Sequence, residues 1–139
     1  MAAISITATA VIPGAGAVLS TRAAVEAIAA GKAVYLDEAT GLVGLYKADS
    51  ATAATRKLHG ICVAGAGAAN QRCVIQTAGQ VTMNAVLTKG RVFVGGATAA
   101  GDVAPTADIV TGWYAAILGI ALSTTVLLLS ISNSDVAAS

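Results

Sequence analysis

Apolar and polar residues alternate at the front of the chain, with Ile4, Ile6, Ala8 and Ala10 on one face and Ser5, Thr7 and Thr9 on the other. A period of two with β-branched residues predicts a half-buried strand over 4–11, ended by Pro13-Gly14. Short apolar runs follow at close spacing. Residues 33–36 (AVYL) and 42–46 (LVGLY) flank Asp37-Glu38-Ala39-Thr40-Gly41, acidic turn residues and then a Gly, which predicts a hairpin. Residues 58–64 (LHGICVA) and 73–77 (CVIQT) flank the small-residue loop GAGAANQR. Further strands are expected at 80–87, 91–94, 113–122 and 126–132, the last two joined by Ser123-Thr124-Thr125. Residues 21–30 read either as a short helix, capped by Thr21 and stopped by Gly31, or as a strand. Residues 49–57 suit one helical turn capped by Asp49. Strands at short spacing with turn signals predict an all-β chain, a single β-sandwich or jelly-roll-like domain.

The stretch 31–64 recurs loosely at 90–123, an offset of 90 − 31 = 59 residues. Without a gap, Gly31 falls on Gly90, Ala48-Asp49 on Ala107-Asp108, Thr52 on Thr111 and Gly60-Ile61 on Gly119-Ile120. Val34 meets Phe93, Leu58 meets Ile117 and Val63 meets Leu122. This suggests internal duplication of a β unit. The expected division of the one 1–139 domain is an N-terminal arm (1–26), a first unit (27–77) and a second (78–139).

Composition sharpens this picture. The chain of 139 residues is 56% hydrophobic and only 11% charged, against about 25% charged in an average soluble protein. A lone domain needs a polar skin, so the deficit points to a surface covered by copies of itself or by a partner. Net charge is +1, and no basic run exceeds Arg56-Lys57. Nucleic-acid binding by counterion release needs clustered cations and is not expected. The start, MAAISITATAVIPGAG, lacks a basic region and a compact apolar core, so no signal peptide and synthesis in a reducing cytosol are expected. Residues 109–134 carry no charge and are long enough to cross a bilayer. However, Asp108 and Asp135 flank them, Gly119 and Ser123-Thr124-Thr125 break them, and their repeat counterpart contains Arg56, Lys57 and His59. Two buried strands and a turn fit better than a membrane span.

No constellation of catalytic groups stands out. His59 is the single histidine and falls on Leu118 of the second copy, which favours a structural position over acid–base work. Cys62 and Cys73 suit neighbouring strands as two small buried hydrophobes, with a disulfide formed in an oxidising environment as the alternative. One His and scattered carboxylates do not make a metal site. Gly65-Ala66-Gly67 lacks the third glycine, helix and distant acid of a dinucleotide fingerprint. Asp37 and Glu38 face Gly96 and Ala97 in the other copy, while Asp49 and Asp108 are shared, so both sets read as turn or cap chemistry. No catalytic residue, cofactor or metal is expected. Trp113-Tyr114 stand where the first copy has Ala54-Thr55. They suit either an interface anchor or a core gap-filler.

The pattern A-x-x-A-G-K-A-V-Y-L-D-x-A-T-G-x-V-x-L-x-x-A-D-S-A-T-A-A, then x-G-I-C-V-A, runs from Ala27 to Ala64. It resembles the small head-decoration, or cement, proteins of tailed bacteriophages. The echo at Gly90-Arg91-Val92-Phe93-Val94 and Gly119-Ile120-Ala121 extends that resemblance over roughly residues 27–132. It implies a compact β protein made in the host cytoplasm and carried on the outer capsid surface of the virion. There it would form a dimer or trimer and bridge major capsid subunits, without enzymatic activity. Many weak contacts repeated over a shell add up by multivalency. The expected partner surface is Ile4, Ile6, Val11, Ile12, Trp113 and Tyr114, with strand addition by ISITATAV as one contact mode. Partners expected are the major capsid protein and further copies of the chain, not nucleic acid or membrane. A tail, baseplate or receptor-binding module is the alternative virion role. A small enzyme or ligand-binding barrel would need a polar pocket that His59 and dispersed carboxylates do not supply.

Overall fold

The computed structural model describes residues 11–47, 57–83, 87, 89–90, 92–95, 101, 103–105 and 114–137. Every regular element among them is a strand: β1 (Ile12–Pro13), β2 (Val18–Ala23), β3 (Ala33–Asp37), β4 (Leu42–Leu45), β5 (Gly60–Ala64), β6 (Arg72–Thr82), β7 (Val92–Gly95), β8 (Val103–Pro105), β9 (Tyr114–Ala121) and β10 (Val126–Ala137). The chain is all-β, as the closely spaced strands and turn signals predict, and its layers belong to one curled antiparallel sheet that forms a half-barrel. Residues 21–30 contain no helix: 21–23 finish β2, and Ala24 and Ile28 then make isolated bridges to Val43 and Ala66. The expected strands at 4–11 and the helical turn at 49–57 fall wholly or mostly outside the described residues.

The hairpin at 37–41 forms as its residues dictate. The Ala39 N–H donates to Asp37 Oδ1 at 3.0 Å, and Gly41 takes φ +74°. The runs 73–77 and 80–87 differ from expectation. They join in one strand, β6, because Thr77 is accommodated as a bulge and Gly79 at φ +85° bends the chain without ending it. The uncharged run 109–134 contains β9, a turn at 122–125 and most of β10. Among the described residues, no helix is long and apolar enough to cross a membrane.

Strand order along the sheet is β4-β3-β5-β6-β10-β9-β7-β8, with β1 and β2 also paired to β6. The N-terminal half of β6 pairs with β5 and β2, and its C-terminal half with β10 and β1. Two five-strand sets follow from this, β4-β3-β5-β6-β2 and β8-β7-β9-β10-β6, with the same internal order. They share β6, which in chain order is the last strand of one set and the first of the other. The pairing register repeats at the sequence offset. Ala33 lies opposite Ile61 and Val34 opposite Gly60, and Val92 lies opposite Ile120 and Phe93 opposite Gly119.

The core repeats in the same way. One buried cluster, within the first unit, contains Ala24, Ile28, Val34, Val43, Cys62 and Ile75. The repeat counterparts of Ala24, Ile28, Val34 and Cys62 are Met83, Leu87, Phe93 and Ala121, and all four lie in the larger cluster. That cluster also takes in the other face of the first unit, namely Ala33, Leu58, Ile61 and Val63. The first unit is therefore buried on both faces, against its own filling and against the second unit. Two polar contacts fix that junction. Gly101 donates to the Tyr46 carbonyl at 2.7 Å and accepts from the Ala33 N–H at 2.8 Å. Asn133 accepts from the Leu58 N–H at 2.7 Å and donates to its carbonyl at 2.9 Å.

Candidate interaction surface

The outward face of the second unit is apolar. On β9, Ile117 is 43% exposed, and Ile120 and Leu122 beside it are also open to solvent. The pairing registers place Val92, Ile120, Leu128 and Gln80 in one row across four strands. A parallel row holds Val126, Thr82 and Ile12. Strand residues two apart share a face, so Val126 and Leu128 put both rows on the same side of the sheet, while Leu127 and Leu129 point into the core. None of these outward residues is charged. An uncharged, largely apolar face of this kind marks an interaction site more often than scattered surface hydrophobes do. A second exposed apolar group, Val18, Leu19 and Val25, lies on and just after β2.

The residues expected at a partner surface divide. Ile12 is 57% exposed and joins the apolar rows through Thr82. Its neighbour Val11 is only 6% exposed and packs in the larger core, so it is filling rather than a presented contact. Strand alternation explains the split, since adjacent side chains point to opposite faces. Tyr114 opens β9 opposite Ala137. Ile4, Ile6 and Trp113 lie outside the described residues. Ile117, Ile120, Leu122, Val18 and Leu19 were not singled out by sequence. The available signal was repeat alignment of Ile117 with Leu58 and Leu122 with Val63, but identical hydrophobicity in both copies gives no sign that one copy is bare.

The polar groups are local and structural. His59 lies half-buried, with Nε2 enclosed and without a partner. Burial first, and then the Arg22 charge, push its pKa below the usual 6.5, against an opposing pull from Glu38. Cys62 and Cys73 are free thiols buried in the smaller core. Their sulfurs donate to the Ala64 carbonyl at 3.3 Å and the Arg22 carbonyl at 3.5 Å. Burial pushes the Cys62 thiol up to about 12, and Cys73 is raised for the same reason. Neither is poised as a nucleophile, which needs a thiolate. Among the described residues no group of three or more His, Cys, Asp or Glu could hold a metal ion. Asp37 and Thr40 are spent on the hairpin, where Thr40 Oγ1 accepts from the Leu42 N–H at 3.4 Å. No protein-family model, curated protein or solved structure matches the chain.

Proposed function

We propose that the chain is a structural virion protein, a capsid decoration or cement protein that binds the outer surface of a phage head. It stabilises contacts between major capsid subunits, acts as a homo-oligomer and performs no catalysis. The observation that carries this reading is the uncharged sheet face of Val92, Ile117, Ile120 and Leu122, continued by Ile12. In a chain with only 11% charged residues, such a face suits burial in an assembly rather than life as a free domain. The resemblance carried by residues 27–64 supports the same role. Ile12–Pro13 already runs antiparallel to β6. The alternating residues before it can therefore extend as an added strand on a capsid subunit.

Co-sedimentation with shells that lack the protein tests this reading. Near-stoichiometric binding to the shell supports it. Saturation at a few copies per particle points to a vertex, tail or baseplate component instead, and failure to bind removes the virion role. Removal of residues 2–10 is expected to weaken attachment and to leave the domain folded. The cut stops short of Val11 because that side chain is part of the core.

A further inference from the structure

We infer that the outward face of β9, formed by Ile117, Ile120 and Leu122 with Val92 beside them, is covered by a second copy of this chain. The evidence is internal to the molecule. At the repeat offset, Leu58, Ile61, Val63 and Ala33 of the first unit correspond to Ile117, Ile120, Leu122 and Val92 of the second. All four first-unit residues are buried, in the cluster they share with Met83, Leu87 and Phe93 of the second unit. Val92 and Ile120 occupy the register positions of Ala33 and Ile61, and Ile117, Ile120 and Leu122 are exposed. The chain thus contains one example of what covers this face: the neighbouring β unit of the same protein. The second unit repeats the face and leaves it open among the described residues.

The chemistry of the face agrees with a like partner. Described residues in its two rows are aliphatic or neutral polar, so an identical or equivalent surface meets it with no charge left unpaired. An acidic or basic partner would find nothing complementary. The docking does not copy the contact inside the chain, because the covering residues Met83, Leu87 and Phe93 and their first-unit counterparts Ala24, Ile28 and Val34 are all buried. Face meets face instead, which gives a two-fold dimer with a second copy on Ile120.

This inference deepens the assembly reading by naming the surface for self-association, and it is tested without a capsid. Wild type and Ile120→Lys are compared by analytical ultracentrifugation over micromolar to sub-millimolar concentrations, each checked for folding by circular dichroism and urea unfolding. Wild type is expected to sediment as a multiple of the 13.5 kDa chain, with Ile120→Lys folded and shifted to a single chain. Val25→Lys, in the other exposed apolar group, should keep the wild-type assembly. Should Ile120→Lys fail to fold, Leu122→Lys, in the turn after β9, replaces it. A wild type that remains a single chain throughout would overturn the inference. So would an oligomer that survives the β9 substitution, or one dissolved only by removing residues 2–10, which would identify arm exchange. A chain that oligomerises through β9 yet ignores shells leaves this inference standing and removes the virion reading.

Discussion

Gly31 and Gly90 hold the same piece of backbone in two places. Both have positive φ, +92° and +81°. Each donates its N–H to a carbonyl 31 residues on, Gly31 to Cys62 at 2.7 Å and Gly90 to Ala121 at 2.8 Å. The shared glycines at the start of each repeated stretch therefore serve a left-handed turn that ties the entry of one strand to a neighbouring strand. Gly60 and Gly119 are the second shared pair and have a different cause. A Cβ on Gly60 would sit 2.6 Å from the Gln76 carbonyl oxygen, and one on Gly119 would overlap the Leu128 carbonyl oxygen. In both units the backbone of the neighbouring strand occupies the space.

These two causes predict different losses. At Gly90 a Cβ meets nothing within 4 Å. Gly90→Ala should therefore cost only the conformational strain of positive φ, about 1 kcal/mol. Gly119→Ala must part β9 from β10 and should cost about 3 kcal/mol or more. Urea unfolding of the two variants measures the difference, and equal losses would contradict it.

Asn133 clamps the junction between units by bonding both backbone groups of buried Leu58. Asn133→Leu leaves that N–H and carbonyl without partners and should destabilise the domain by about 1–3 kcal/mol. Denaturant unfolding reads the loss. Amide hydrogen exchange at Leu58 should speed up more than at Ile75, which lies inside the first unit.

His59 makes stability depend on pH in one direction. Its folded pKa lies below the usual 6.5, so the unfolded chain binds the proton more readily. The contribution to stability is whole above about 6.5 and is lost as pH falls through the folded value. His59→Leu introduces the residue type found at the matching position, Leu118, and removes a buried nitrogen that has no partner. The stability difference between variant and wild type should grow in the variant's favour as pH drops below 6.5. A difference that stays constant with pH would contradict this.

The thiols should behave as core. With Cys62 pushed up from 9.0 to about 12, its thiolate fraction near pH 8 falls about a thousandfold below that of an open thiol. Labelling by a thiol reagent should be slow in the folded protein and fast in urea. Rapid stoichiometric labelling without denaturant would show that the smaller core opens.

Much of the strand pattern was legible because each strand depends on local residues: the short apolar runs, the Asp37-to-Gly41 turn and the Ser123-Thr124-Thr125 turn. The matching turns at Gly31 and Gly90 were legible for a similar reason, since a left-handed turn tolerates few residues. The exposed apolar face was not. Ile61 and Ile120 are identical residues in identical register, yet one is buried and the other exposed. Which face points inward changes along β6. Val74 packs against the larger core before the Thr77 bulge, and Val81, of opposite parity, lies in it afterwards. A one-residue bulge exchanges the faces of everything that follows, and residue identity at 77 does not announce it. Val11 and Ile12 were likewise assigned together, although neighbouring strand residues must part.

The most direct test of the central claim is the resistance of the shell itself. On the proposed function, expanded phage capsids assembled without the protein are heated with and without saturating amounts of it, and their disruption is followed by light scattering and nuclease access to packaged DNA. We expect decorated shells to survive to a higher temperature, with Ile120→Lys and the variant lacking residues 2–10 giving less protection. Shells that bind the protein in high copy and yet break at the same temperature as bare ones would contradict a cementing role.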